Sequence, residues 1–475
     1  MNENVEPTVM LMPRTWKLEF DILTYLMNEL ELPKADLVSF MSTCHSLRCA
    51  GVRALLNSGD CLEPFLTPAR LSSFCAFMMV DFPSRCIHVR QHLNLIMPEL
   101  VKFRAYSHKD LLSLSRIIAH SPNIKSLSVD LTLLSYLATV NPDFHRSFNF
   151  RPALKKLDFE IDNIQNSRTI DALKNWNTPA LTHLLFRGCG TISWEVVKPF
   201  HKTITRLDID TLDPYLKRWP VPCERVKVLS LSMLIWNSLP HNLPFLFPHL
   251  EELTLYGAGW VVGDRAAYYD NRSTGIADWM IDVLKQDHDR NSKKDGSWTH
   301  LEYVRADLPI VYALGLTCSA NKLVLRDLSH TTANALLPEV TQSMRIRSLK
   351  FGLLLDRLSV PVVTSLLHTF QQCDFAETSR IALLISSAST CGSSEMQAFG
   401  GSWPRTVMLM HSIIMIVQRN HPIQDGRSWA FTWRHYQGSG QDCYKFVCRR
   451  VRDRDDFREL EPRTEGRHIF MMMAS

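Results

Sequence analysis

The sequence predicts an α/β solenoid, a curved stack of parallel strands backed by helices, with a small all-helical module ahead of it. Three observations predict this. A short apolar phrase recurs through the middle of the chain, prolines hold one place relative to that phrase, and helical apolar patterns crowd into residues 12–56.

Composition bounds the reading first. The 475 residues suffice for one large repeat array and a small module. Hydrophobic residues make up 45% and charged residues 21%, ordinary values for a folded chain. The 53 basic and 48 acidic residues leave a net charge of +5, too mild an excess to imply nucleic acid, so no nucleic-acid partner is expected. Twelve cysteines run from Cys44 to Cys448 without a CxxC pair, most of them in apolar runs such as Ser73-Phe74-Cys75-Ala76-Phe77. They read as small buried hydrophobes of a reducing compartment. No leader peptide is expected at the N-terminus, and Val407–Val417, interrupted by His411, falls short of the roughly 20 apolar residues of a membrane span. Cytoplasm or nucleus is the expected location, with no membrane partner. Asn271-Arg272-Ser273 matches a glycosylation acceptor, which there is coincidence.

The phrase is apolar, two variable residues, apolar, one variable residue, apolar. It occurs at Ile124-Leu127-Val129, Leu154-Leu157-Phe159, Leu181-Leu184-Phe186, Ile204-Leu207-Ile209, Val226-Leu229-Leu231, Leu250-Leu253-Leu255 and Ile346-Leu349-Phe351. Weaker copies start at Leu100, Leu301, Ala320 and Arg380. From Ile124 to Leu250 the first positions are spaced by 30, 27, 23, 22 and 24 residues. Those spacings lie in or near the leucine-rich-repeat range of roughly 20–29. The step to Leu301 is 51, so a degenerate copy or an insertion intervenes. Pro98, Pro122, Pro152, Pro179 and Pro248 each stand two residues before a first apolar position. Proline there ends a preceding helix and opens an extended segment without needing an N–H partner. Helix-compatible stretches, Arg168–Trp176, Ser193–Phe200 and Val360–Phe370, lie between phrases, the last with Pro361 in its first turn. A strand–helix unit cannot bury its apolar face alone, and stacked neighbours bury it together. An ordinary α/β domain is the alternative architecture.

In the N-terminal module Leu18, Ile22, Leu23 and Leu26 fall at helical spacing and Pro33 breaks the pattern. Asp36 then caps a second helix carrying Leu37, Phe40, Met41, Cys44 and Leu47 on one face, followed by Arg48 and Arg53. So small a core leans on a partner or a neighbouring domain. This segment resembles the F-box family through Met12-Pro13, Leu18, Ile22, Leu23, Leu26, Asp36-Leu37, Cys44 and Arg48. The stretch Leu71–Phe77 leading to Arg85 resembles the hinge into the repeats of fungal F-box/leucine-rich-repeat proteins. It departs from the family pattern at Trp16-Lys17, in the spacing of Pro13, and in the long turn Met27–Lys34. A helical cap on the first repeat is the competing reading of the module.

The resemblance implies a division into residues 1–11, disordered; 12–56, the F-box-like module; 57–97, a helical hinge and first strand; 98–428, the repeat solenoid; and 429–475, a C-terminal hairpin cap and tail. It implies a substrate-receptor adaptor of a Skp–cullin–F-box ubiquitin ligase that raises a target's effective concentration near a ubiquitin-loaded enzyme. The Skp-type adaptor, and through it the cullin, would bind at Pro13, Leu18, Ile22, Leu23, Leu26, Leu37, Phe40, Met41 and Cys44. Two alternatives are a repeat scaffold with no ligase role and a hydrolase with an unrecognised site.

Enzyme signatures are not found: no GxSxG, no HExxH and no GxxxxGK[ST]. No catalytic residue and no cofactor is expected. Gly257-Ala258-Gly259-Trp260-Val261-Val262-Gly263 has the wrong spacing for a dinucleotide loop and reads as a turn out of a repeat strand. Asp287-His288-Asp289 opens like a calcium loop but continues to Ser292 and Trp298 where glycine and glutamate are required, so it reads as a solvated loop. His88 lies in an apparent strand, Cys86–Val89, and with His92 makes an incomplete metal pair. Trp429–Tyr436 and Tyr444–Cys448, around Gly438-Ser439-Gly440, read as a hairpin that caps the last strand edge. Arg449–Asp456 mixes both signs and reads as solvated.

Side chains alternate along a strand, so the residues between the apolar positions should face outward. That exposes Asp158, Leu185, Asp208, Ser230 and Thr254 in one row. Lys156, His183, Arg206 and Glu252 flank it on one side, and Glu160, Arg187, Asp210 and Tyr256 on the other. The partner-binding candidates are Asp158, Leu185, Arg187, Arg206, Asp208, Asp210 and Tyr256, with Arg187 and Tyr256 as anchors. The target itself is unspecified.

Overall fold

The computed structural model describes residues 22–27, 33–57, 67–96, 105–144, 151–161, 173, 176, 178–188, 192, 194–210, 219–235, 243–262, 265–267, 278–292, 298–355, 360–375, 377–378, 380–387, 428–438 and 441–451. Pro13, Leu18, Pro98, Leu100, Asn271–Ser273 and Val407–Val417 lie outside these. The chain is α/β and divides into two compact units, residues 1–185 and 186–475, the division falling within a strand.

The first unit opens with three short helices, α1 (22–27), α2 (Lys34–Thr43) and α3 (His45–Asn57). Met27, Leu37, Leu47 and Ala54 close a core against which Leu23, Phe40, Met41 and Leu55 pack. Two details differ from the sequence expectation. Asp36 does not cap α2; Pro33 holds the cap position and Asp36 lies in the first turn, where its charge still opposes the helix dipole. The pattern from Leu37 to Leu47 is broken at Cys44, which is extended at φ −155° and receives the Leu47 N–H on its sulfur at 3.4 Å. Gly51 allows the helices to approach: a Cβ there would sit 2.2 Å from Met41 Cγ and 2.7 Å from Met27 Cε.

Thr67 caps α4 (Pro68–Met79) by accepting the Arg70 N–H, with proline at the first helical position. Arg85 closes the far end, donating to the Phe77 carbonyl, pairing with Asp81 at 3.0 Å and lying 4.5 Å over the Phe77 ring. Cys86–His88 is a 3-10 turn, not a strand. Beyond it come β1 (His92–Leu95), α5 (His108–Ala119), β2 (Ser126–Asp130), α6 (Leu131–Val140), β3 (Lys156–Ile161) and the start of β4 (His183–Gly188). β1, β2 and β3 are parallel in one register, so Leu93, Leu127 and Leu157 form one buried row and Leu95, Val129 and Phe159 another. Each such side chain contributes roughly 1.5–3 kcal/mol by leaving water. α5 packs on α4 and on α6.

The prolines act differently from the simple helix-stop expected of them. Pro179 and Pro248 occupy the second place of β-turns in which Leu181 N–H reaches Thr178 O at 3.0 Å and Leu250 N–H reaches Phe247 O at 3.3 Å. The fixed φ of proline suits that place, and the turn delivers the first apolar residue to the core. Pro122 and Pro152 occupy equivalent turns.

In the second unit the strands are β5 (Arg206–Asp210), β6 (Val228–Ile235), β7 (Glu252–Val262), β8 (Arg265–Ala267), β9 (His300–Ala306), β10 (Ser319–Ser329), β11 (Arg345–Ile346), β12 (Ser348–Leu355), β13 (Arg380–Ser387), β14 (Ser428–Gly438) and β15 (Gln441–Val451). The helices are α7 (Trp194–Val197), α8 (Leu243–Leu246), α9 (Asp278–Ser292), α10 (Leu308–Ala313), α11 (His330–Ser343) and α12 (Val360–Gln372). Successive parallel pairing carries one ladder through Leu207, Leu229, Leu253, Val304, Leu323, Leu349 and Ile381, all buried. A parallel row holds Ile209, Leu231, Leu255, Ala306, Leu325 and Phe351. α9 packs on α10, α10 on α11 and α11 on α12.

β7 pairs directly with β9, Leu253 opposite Val304. The 51-residue step is therefore an insertion, holding β8 and α9. Gly257 and Gly259 lie inside β7, where the register with β6 shifts, and not in a turn. Asp287-His288-Asp289 belongs to α9 and not to a loop. His288 Nδ1 lies 2.9 Å from Tyr312 O and the two rings stack at 4.5 Å, docking α9 on α10. Gly315, at φ +59°, ends this contact; a Cβ there would meet Ser292 N at 2.8 Å. At the end of the sheet β15 pairs antiparallel with β13, and β14 with β15, so the hairpin covers the edge of β13.

Candidate functional site: helical face and sheet face

Two surfaces can meet partners. The first is on α1 and α2. Ile22, Tyr25 and Val38 are 49%, 63% and 56% exposed, although the module's core is already closed without them. Ile22 and Tyr25, three apart, share one face of α1. The other adaptor candidates divide. Leu23, Phe40 and Met41 pack against the core, Leu26 is half-buried, Cys44 is exposed, and Leu37 is a core residue at 3% exposure. Tyr25 and Val38 were missed in the sequence; Tyr25 falls at helical spacing from Ile22, which was the available signal.

The second surface is the sheet face opposite the buried ladder. In the first unit it is polar but not open. Asp158, expected to be exposed, is buried at 2%, and Ser128 beside it at 2%. Short side chains on a sheet with strands under 5 Å apart are covered by longer neighbours. Here the cover includes His92: its Nδ1 lies 2.7 Å from Ser126 Oγ, its Nε2 lies 3.3 Å from Ser128 Oγ, and Ser128 donates to Asp158 Oδ2 at 3.1 Å. Because the Ser128 proton goes to Asp158, the proton in the His92–Ser128 contact comes from Nε2. The result is a serine–histidine–serine–aspartate relay. The Ser126 N–H is bonded to Gln91 O at 3.0 Å and so is not available as an oxyanion donor at the outer serine. Leu185 is half-buried.

In the second unit Asp208 is also buried, at 8%, beneath Arg206, whose Nε reaches Asp208 Oδ2 at 2.9 Å. Asp210 is half-buried and Arg187 exposed. Tyr256 is half-buried, with the Arg305 guanidinium 5.4 Å from its ring centroid. Lys322 Nζ lies 5.2 Å from the Tyr303 ring centroid in the same manner. Arg305 and Lys322 were not singled out from the sequence, because the repeat phrases at Leu301 and Ala320 are weak.

Other chemistry is structural. Five described cysteines are held protonated by burial: Cys75, Cys223 and Cys373 are pushed up to about 12, and Cys86 and Cys318 to about 11. Burial, aided by Arg53 and Arg90, lowers the His88 imidazole. Arg151, buried, donates to the carbonyls of Ile118 and Ser121 at the end of α5. Asp130, the last residue of β2, and Asp307, which follows β9, each hold the cap position of the next helix; Asp130 Oδ1 accepts the N–H groups of Thr132 and Leu133. Among the described residues no group of three or more metal-ligating side chains occurs, and no helix is long and apolar enough to cross a membrane. No protein-family model and no curated protein matches the chain.

Proposed function

We propose that this chain is a substrate-receptor adaptor of a Skp–cullin–F-box ubiquitin ligase, acting in the cytoplasm or nucleus, whose strand–helix repeats form a leucine-rich-repeat solenoid that holds a protein target. The observation that carries the ligase link is the exposed apolar set Ile22, Tyr25 and Val38 on the first two helices of a three-helix module whose core is complete without it. Apolar surface left over on so small a unit is surface for a partner. The solenoid reading is supported by the register of the buried ladder, in which Leu207, Leu229, Leu253 and Val304 meet strand after strand. Catalysis is not part of this role: the chain contributes proximity, and the chemistry belongs to the recruited enzyme. The test is purification of the full tagged chain together with a purified Skp-type adaptor. A stable one-to-one complex is expected. Failure to form one removes the ligase link and leaves a repeat scaffold.

A further inference from the structure

The exposed sheet face of the second unit changes sign along its length. β5 and β7 place Asp210 and Glu252 on it, together with Arg206, whose charge is taken up by the buried Asp208 beneath it. From β9 onward the sign reverses. The face positions of β9, β10, β12 and β13 are Tyr303 and Arg305, Lys322 and Val324, Ser348 and Lys350, and Arg380 and Ala382. At these described positions each strand supplies one cation and no carboxylate, and the neighbouring carboxylate of β9, Glu302, is engaged by His300 and Asn321. Arg305, Lys322, Lys350 and Arg380 are all exposed. They alternate between two rows, because Arg305 and Lys350 share a row with Val324 and Ala382, while Lys322 and Arg380 share one with Tyr303 and Ser348. Two of the cations are held over aromatic rings, Arg305 on Tyr256 and Lys322 on Tyr303. Backbone register continues the series, with Arg449 opposite Arg380.

We propose that this basic zigzag is the docking site for an acidic, extended segment of a protein. Strands lie about 4.8 Å apart, so four of them span roughly 15 Å, the reach of about five extended residues. An extended chain crossing the strands presents its side chains alternately to either side, as the two rows of cations require. A long polyanion fits less well: running on past β9 it would meet Glu252 and Asp210. A protein segment with acidic residues at one end and neutral or basic ones at the other matches the reversal of sign. Exposed charges of this kind act through the summed field and are screened beyond about 8 Å at physiological salt, so binding should weaken as salt rises.

This inference rests on the proposed role of the sheet face in holding the target, and is independent of the ligase link. The experiment uses the full chain and three fluorescein-labelled probes: a ten-residue oligoglutamate peptide, which carries carboxylates on both sides when extended, the same peptide with Lys for Glu, and a ten-nucleotide oligothymidylate. Anisotropy titrations are run on the parent chain, on Lys322→Glu plus Lys350→Glu, and on Lys227→Glu, which changes an exposed lysine off this row. The acidic peptide should bind the parent, lose about tenfold or more in affinity with the double variant, and keep its affinity with Lys227→Glu. No binding of the acidic peptide, or equal binding by the double variant, overturns the proposal. Tighter binding of the oligonucleotide than of the acidic peptide overturns it in favour of a nucleic acid. Adaptor co-purification, measured on the same variants, separates the two readings. A chain that binds the peptide but no adaptor keeps the docking site and loses the ligase link, and the converse loses the docking site alone.

Discussion

Replacing Ile22 and Tyr25 with aspartate tests the helical docking face directly. Ile22 is 49% exposed, so covering it completes about half of a full burial, or about 1 kcal/mol. Tyr25 is 63% exposed; an aromatic of its size leaves roughly 120 Å² to cover, which at 25 cal/mol per Å² contributes about 3 kcal/mol. Together they account for about 4 kcal/mol, close to a thousandfold in Kd, before any cost of burying the new carboxylates. The measurement is the affinity of the full chain for a purified Skp-type adaptor by biolayer interferometry. Neither side chain belongs to the module's core, so thermal unfolding should move by less than the equivalent of about 0.5 kcal/mol. Leu37→Ala serves as contrast: Leu37 is 3% exposed, and its truncation should cost about 2–5 kcal/mol and abolish binding by unfolding the helices. A doubly substituted chain that binds within threefold of the parent refutes the assignment of this face.

Three further outcomes follow from the core. Leu253→Ala removes a fully buried ladder residue between Leu229 and Val304 and should destabilise the second unit by about 2–5 kcal/mol in urea titration; a loss under 1 kcal/mol would contradict the continuous ladder. Gly315→Ala forces a Cβ to 2.8 Å from Ser292 N at φ +59° and should cost more than about 1 kcal/mol, read by the same titration, whereas the parent's stability would deny the close approach. Maleimide labelling with peptide mapping should modify Cys44 and Cys49 rapidly and leave Cys75, Cys86, Cys223, Cys318 and Cys373 protected. Those five thiols have folded pKa values above the ordinary 9.0, so the unfolded chain loses their protons first; stability should fall as pH rises past about 9. Rapid native labelling of Cys223 would refute its burial.

Much of the strand order was legible because the phrase is periodic and apolar. Leu127, Leu157, Leu207, Leu229 and Leu253 sit on the buried rows the phrase assigned them, and the weak copies at Leu301, Ala320 and Arg380 are strands. What was not legible came from contacts the phrase does not encode. The break of α2 at Cys44 depends on one extended residue, and the helical state of Asp287–Asp289 depends on α9 finding α10. The face was read less well than the core. Strand alternation correctly turns Asp158 and Asp208 away from the ladder, but whether a residue so turned meets water depends on its neighbours: Arg206 lies on Asp208, and Ser128, itself in contact with His92, bonds Asp158. Asp130 and Asp307, each at the end of a strand and followed by leucine, carried a helix-start signal that the repeat phrase eclipsed.

The constant register also governs how this chain can change length. From Leu207 through Val228 there are twenty-two residues, and Leu207 and Leu229 are partners across β5 and β6. Excising or duplicating that whole block brings like against like at the seam. Removing a single residue inside β6 turns every following side chain of that strand over, sending leucine to water and serine to the core. The segments between strands vary in length without moving the ladder, but the number of rungs, with the number of face residues they display, changes only in whole strand–helix blocks, a quantity that recombination can adjust while point deletion within a strand cannot.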